Sequence, residues 1–143
     1  MIHFLDASAL VKRYVRESGS EAVASLLRRA RFPTISRLSV AEVPAALARR
    51  ARRRDVDPEL ARGAADRFRA DIADLGVVEV RPRVLSRAAD LVWEADLRAY
   101  DAVQLASAVE LSKQVDAAVT FVGADAALLR AAQSLGLRAL SVA

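Results

Sequence analysis

Four of the 18 acidic residues fall at one kind of position. Asp6 closes the apolar run IHFL, and Glu42 lies in the first turn of the pattern that follows a second apolar stretch. Asp101 heads the segment DAVQLASAVELSK, and Asp125 follows the run AVTFV. Carboxylates gathered at one place repel one another and raise one another's pKa unless a cation lies among them. A hard divalent cation with oxygen ligands answers that repulsion, and Mg²⁺ or Mn²⁺ suits carboxylates supplemented by waters. Other chemistries lack their parts. There is no cysteine, which removes disulfides, thiolate zinc sites and thiol nucleophiles. The single histidine, His3, lies inside the first apolar run and reads as packing, so a histidine-pair hydrolase is excluded.

Each acid also has a plain structural reading. Asp6, Asp125 and Asp101 are all placed to cap helices, and Ser39-Val-Ala-Glu42 has the spacing of a capping box. Taken singly, capping is the commoner explanation; taken together, the four acids point to a metal.

The elements that must position them follow from periodicity. Short apolar runs at Ile2–Leu5, Phe32–Ile35, Val77–Val80, Ala118–Val122 and Leu137–Val142 read as strands. Helical patterns cover Ser8–Val15, Ser20–Ala30, Ser39 to about Arg53, Val84–Leu97, Asp101–Lys113 and Asp125–Leu135. Another helix opens at Pro58 and is closed by Gly76. Asp101–Lys113 is apolar on most sides, so a buried helix is expected. Strands alternating with helices predict one α/β domain over residues 1–143. Its architecture is a three-layer α/β/α sandwich on a short, mainly parallel sheet of about five strands. In such a sheet, strand C-termini and the helix N-termini after them share the ligand-binding edge. Asp101 joins that edge only if its helix runs the same way.

The 143 residues, 54% of them hydrophobic, can bury a core without staples. The net charge of +4 favours an anionic partner such as nucleic acid, although 20 arginines against 2 lysines also fits a compositional bias. Aromatics are only 5%, too few for a base-stacking platform. Nothing between Met1 and Asp6 reads as a signal peptide, and no apolar run nears the ~18 residues of a membrane span. A cytoplasmic protein with no membrane partner is expected.

Four blocks carry a family resemblance: FLDASALVKRYVRESGS, SVAEVPAALARRARR, LRAYDAVQLASA and FVGADAALLRAAQSLGL. In this order and spacing they resemble a PIN domain, and most of all the VapC-type toxin ribonucleases of bacterial toxin–antitoxin pairs. The resemblance runs from Ile2 to about Val142. It implies that Asp6, Glu42, Asp101 and Asp125 bind Mg²⁺ or Mn²⁺ and hydrolyse RNA. Asp6 and Asp101 are the principal ligands on this reading, with Glu42 and Asp125 secondary. It further implies a homodimer blocked by a small antitoxin protein, for which the Ala- and Arg-rich helix pair from Ser39 to Leu75 is the candidate contact surface.

Two departures stand out. Gly123 occupies a position where the family usually has Thr or Ser, so a hydroxyl is missing two residues before Asp125. Pro44 removes a backbone donor just inside the helix that carries Glu42, which predicts a kink.

Acids that hold metal repel phosphate, so cations must lie nearby. Lys12, Arg13 and Arg16 are candidates, with the run Arg49, Arg50, Arg52, Arg53 and Arg54, whose other reading is a solvated helix end. Ser8 is a candidate to hydrogen-bond into the site or to cap its helix. Three rivals stand beside the toxin reading. A signalling receiver domain wants a lysine after its last strands, yet Lys12 and Lys113 both lie elsewhere. The others are a PIN-like module that binds without cleaving and an RNA-processing nuclease with no toxin role.

Overall fold

The computed structural model describes residues 1–143. Five strands form one sheet: β1 (Ile2–Leu5), β2 (Pro33–Ser36), β3 (Gly76–Val78), β4 (Val119–Gly123) and β5 (Arg138–Ser141). Every pairing is parallel, and the order is β3-β2-β1-β4-β5. Seven helices cover it: α1 (Ala7–Leu10), α2 (Ser20–Arg29), α3 (Ser39–Arg52), α4 (Pro58–Asp71), α5 (Pro82–Glu94), α6 (Ala99–Gln114) and α7 (Ala126–Ser134).

Because side chains alternate across a strand, successive residues of β1 and β4 serve opposite faces. Leu5, Ile35 and Val122 enter a core with Leu10, Val43, Leu47 and Phe68 from α1, α3 and α4. Phe4, Val119 and Phe121 enter a second core with Leu91, Leu105 and Leu128 from α5, α6 and α7. Phe4 and Phe121, paired in register, stack with ring centroids 5.7 Å apart. The sandwich therefore has three layers, as the strand–helix alternation predicted. Helix α6 is buried along Gln104–Glu110, as its all-round apolar pattern required. No helix is long and apolar enough to cross a membrane.

The local differences have physical reasons. Helix α1 is a single turn that tightens into a 3-10 turn at Val11–Arg13, not a helix to Val15. Helix α4 likewise ends in a 3-10 turn, Ile72–Asp74, and Gly76 begins β3 rather than stopping the helix. A Cβ at Gly76 would stand 2.7 Å from Thr34 Oγ1, so a larger residue there would force the Thr34 side chain to move. Pro44 sits inside a helix that remains continuous from Ser39 to Arg52.

The chain winds outward from β1 through β2 to β3, then returns to lay β4 against the other side of β1. That reversal opens a crevice beyond the C-terminal ends of β1 and β4, where α/β sheets bind ligands. Asp6 and Asp125 follow those two strands directly.

Candidate metal centre

Asp6 is the N-cap of α1, and its Oδ1 accepts from the Ala9 amide at 3.1 Å and from Ser8 Oγ at 2.7 Å. Oδ2 has no protein donor. Ser8 Oγ in turn accepts from the Ala124 amide at 3.1 Å, tying the β1–α1 turn to the β4–α7 turn. Asp6 is 3% exposed. Burial drives its pKa up to about 6; the Ser8 and Ala9 bonds pull it down, and the charges of Asp101 and Glu42 push it up again.

Glu42 and Asp101 meet Asp6 in a pocket of about 190 Å³, together with Ser8, Tyr100, Gln104, Arg49 and Arg50. Burial raises the pKa of Glu42; a hydrogen bond from Gln104 lowers it, Asp101 raises it and Arg49 lowers it. Asp101 is also raised, by burial first and then by Asp125, while Arg98 opposes the shift. Three acids thus feel one another across one small pocket, and the fourth couples to it through Asp101. Asp125 itself is exposed and caps α7, its Oδ1 accepting from the Leu128 amide at 3.0 Å.

Two capping expectations fail. Asp101 lies inside the first turn of α6, whose N-cap is Arg98, so its carboxylate is not spent on capping. The capping box at Ser39 does not form either: α3 starts one residue earlier, from Leu38. Ser39 Oγ and Glu42 Oε1 instead accept from Gln104 Nε2 at 2.9 and 2.7 Å. Gln104 was missed by the sequence reading. Its signal was an amide inside the apolar stretch of that helix, one turn past Asp101.

The cations also sort themselves. Lys12 is buried, its Nζ donating to Glu17 Oε1 at 3.4 Å and to the Ser18 carbonyl, and Arg13 is exposed outside the pocket. Neither lines the acid pocket, although Val11 of the same 3-10 turn does. The pocket takes its positive charge from Arg49 and Arg50 instead. Arg50 is held by Glu17 through Nε at 3.0 Å and Nη2 at 3.1 Å, and its Nη1 donates to the Ala46 carbonyl at 3.2 Å. Arg52, Arg53 and Arg54 do not line the pocket. His3 lies on β1 away from it, with burial as the main cause of its lowered pKa.

The site's fit to a divalent cation rests on its donors. No group of three His, Cys, Asp or Glu side chains is placed to hold a metal ion. Mg²⁺ does not need one, since it keeps several waters and binds through one or two carboxylates. The buried Asp6, with an oxygen that no protein group satisfies, is such a carboxylate.

A PIN domain matches residues 3–121. The chain belongs to the PIN domain family. Among curated protein sequences none matches it. Solved structures share the fold of this PIN domain at low identity. FitAcB from Neisseria gonorrhoeae aligns with a TM-score of 0.71 and 18% identity, over 99% of this chain and 98% of that one. VapBC2 from Rickettsia felis, bound to a DNA fragment from their promoter, aligns at 0.65 and 14% over 99% and 98%. A toxin–antitoxin complex from Klebsiella pneumoniae aligns at 0.61 and 16% over 86% of each chain.

Proposed function

We propose that this PIN domain is an endoribonuclease dependent on Mg²⁺ or Mn²⁺, and that it is the toxin of a toxin–antitoxin pair. The observation that carries this reading is the nearly dry Asp6, set with Glu42 and Asp101 in one pocket at the sheet's crevice. Burying Asp6 beside two half-buried acids of the same charge costs stability, and a cation is what recovers it. When bound, such a cation acidifies water and stabilises charge on phosphate oxygens.

The chain's own residues do the rest. Ser8 and the Ala9 amide hold Asp6 by Oδ1 and leave Oδ2 for the cation, with Asp101 as the second principal ligand. Glu42 faces the same space, and Asp125 adds charge from the rim. Of the candidate cations, Arg49 offsets those charges for an incoming phosphodiester, while Arg50, like Lys12, is paired with Glu17. Solved complexes of a toxin with its antitoxin that share the fold support the toxin role.

A cognate antitoxin would use the α3–α4 groove. This groove of about 490 Å³ is floored by Val40, Pro44, Leu47 and Phe68 and edged by Arg62 and Arg69. The same reading makes the protein a cytoplasmic homodimer.

Purified protein is expected to cut RNA in Mg²⁺ or Mn²⁺ and to stop in chelator. Cleavage that persists in chelator would sink the metal assignment. Expression of this chain alone is expected to arrest growth, and Asp6→Ala is expected to relieve the arrest. A second reading, a module that binds without cleaving, draws on the lack of any group of three His, Cys, Asp or Glu side chains placed to hold a metal ion; it predicts RNA binding that chelator leaves intact, with no cleavage.

A further inference from the structure

Gln104 is 2% exposed and sits mid-way along the buried face of α6. Its Nε2 donates to both Glu42 Oε1 and Ser39 Oγ, while its Oε1 is buried with no partner at all. An amide kept for packing or stability would have its acceptor satisfied or give way to an apolar side chain, because a buried unpaired carbonyl is costly. Here the donor is fully used and the acceptor is abandoned. The rest of the polar seam between α6 and α3 is satisfied: Ser107 Oγ lies 2.7 Å from the Val103 carbonyl and 3.2 Å from Ser36 Oγ, which accepts from the Leu38 amide at 3.1 Å. The imbalance is confined to the one residue that reaches Glu42.

We propose that Gln104 is a positioning residue that fixes the Glu42 carboxylate inside the pocket shared with Asp6 and Asp101. The inference rests on reading that pocket as a cation site. A glutamate on a half-exposed helix turn has three rotatable bonds and, left free, samples solvent. A hydrogen bond to an ionised acceptor is roughly twice as strong as one between neutral groups, enough to select one rotamer. Gln104 lies three residues past Asp101, so both project from one face of α6. A single helix thereby supplies one acid and holds another, contributed by α3, in place.

The test uses Gln104→Met, which keeps length but removes the donor, and Gln104→Glu, which keeps shape but replaces the donor with an acceptor. Two readouts are followed: steady-state RNA cleavage, and the rise in melting temperature on adding Mn²⁺. Gln104→Met is expected to lower kcat about 10- to 100-fold with little change in KM, and to shrink the Mn²⁺-induced rise. Its metal-free melting temperature is expected not to fall. Gln104→Glu is expected to lose at least as much. Added to Glu42→Gln, Gln104→Met is expected to change either readout less than about twofold, because the group it positions is already gone. A merely structural role would lower metal-free melting and multiply with Glu42→Gln. Wild-type kcat and Mn²⁺ response in Gln104→Met, or an equal loss in the Glu42→Gln background, overturns the proposal. If the wild-type protein does not cleave RNA, the ribonuclease reading fails alone. The Mn²⁺ response then decides: reduced in Gln104→Met supports the proposal, and unchanged or absent from wild type overturns it.

Discussion

The turns after β1 and β4 are built alike and used differently. Each places an aspartate as N-cap, and each cap accepts from the amide three residues on, Ala9 for Asp6 and Leu128 for Asp125. The strands are neighbours in register. Yet Asp6 is almost wholly buried and Asp125 is exposed. Two helix turns need only two caps, and an exposed cap does that work without desolvation. Burying Asp6, and raising its pKa to about 6, is a cost that capping does not explain. On the proposed reading, the difference separates a residue kept for chemistry from one whose local structural role is sufficient.

The comparison is most exposed to Asp6→Asn. Asparagine keeps the cap but not the charge, so RNA cleavage is expected to fall on the order of 100-fold or more. The same change at Asp125 is expected to cost about tenfold or less. Equal losses at the two positions would erase the distinction.

The next largest effect is on stability. Asp6 titrates near 6 in the metal-free fold, above the unfolded value, so its neutral form is the one the fold favours. Its contribution is full below about pH 4 and is lost as pH rises through about 6, roughly 3 kcal/mol in all. Asp6→Asn is therefore expected to raise the melting temperature at pH 8 and change it little at pH 4, while Asp125→Asn leaves both near wild type. Thermal melts of the metal-free protein at the two pH values measure this. Added Mn²⁺ is expected to stabilise wild type and not Asp6→Asn.

A smaller effect concerns charge. Arg49→Ala is expected to weaken RNA binding and reduce the slope of log affinity against log salt by about 1, whereas Lys12→Ala, whose ammonium is paired with Glu17, leaves the slope unchanged. Smallest is Gly123→Ser. A Cβ there would stand 3.4 Å from Asp6 Oδ1, an ordinary contact, and Ser8 already donates to that oxygen. Cleavage is expected to stay within about threefold, since the added hydroxyl duplicates a bond already made. A large gain would show that the Ser8 hydroxyl does not stand in for it.

What the sequence made legible was local. Strand and helix periods, the alternation that demands a parallel sheet, and the caps at Asp6 and Asp125 all depend on neighbours within four residues. The acids came to light because the sheet edge is a consequence of topology, and topology follows from that alternation. What stayed hidden depends on partners far along the chain. Glu42 satisfies the capping-box spacing, yet its hydrogen bond goes to Gln104, 62 residues on. Lys12 sits beside Asp6 in sequence, yet Glu17 claims it. Periodicity tells which face a side chain is on; it does not tell which of two nearby polar groups will take it.

The return of the chain to lay β4 beside β1 also sets a timetable. Asp6 and Glu42 leave the ribosome early, but Asp101, Gln104 and the strand that closes the crevice come only in the last third of the chain. A growing polypeptide holds two of its acids with no pocket to put them in.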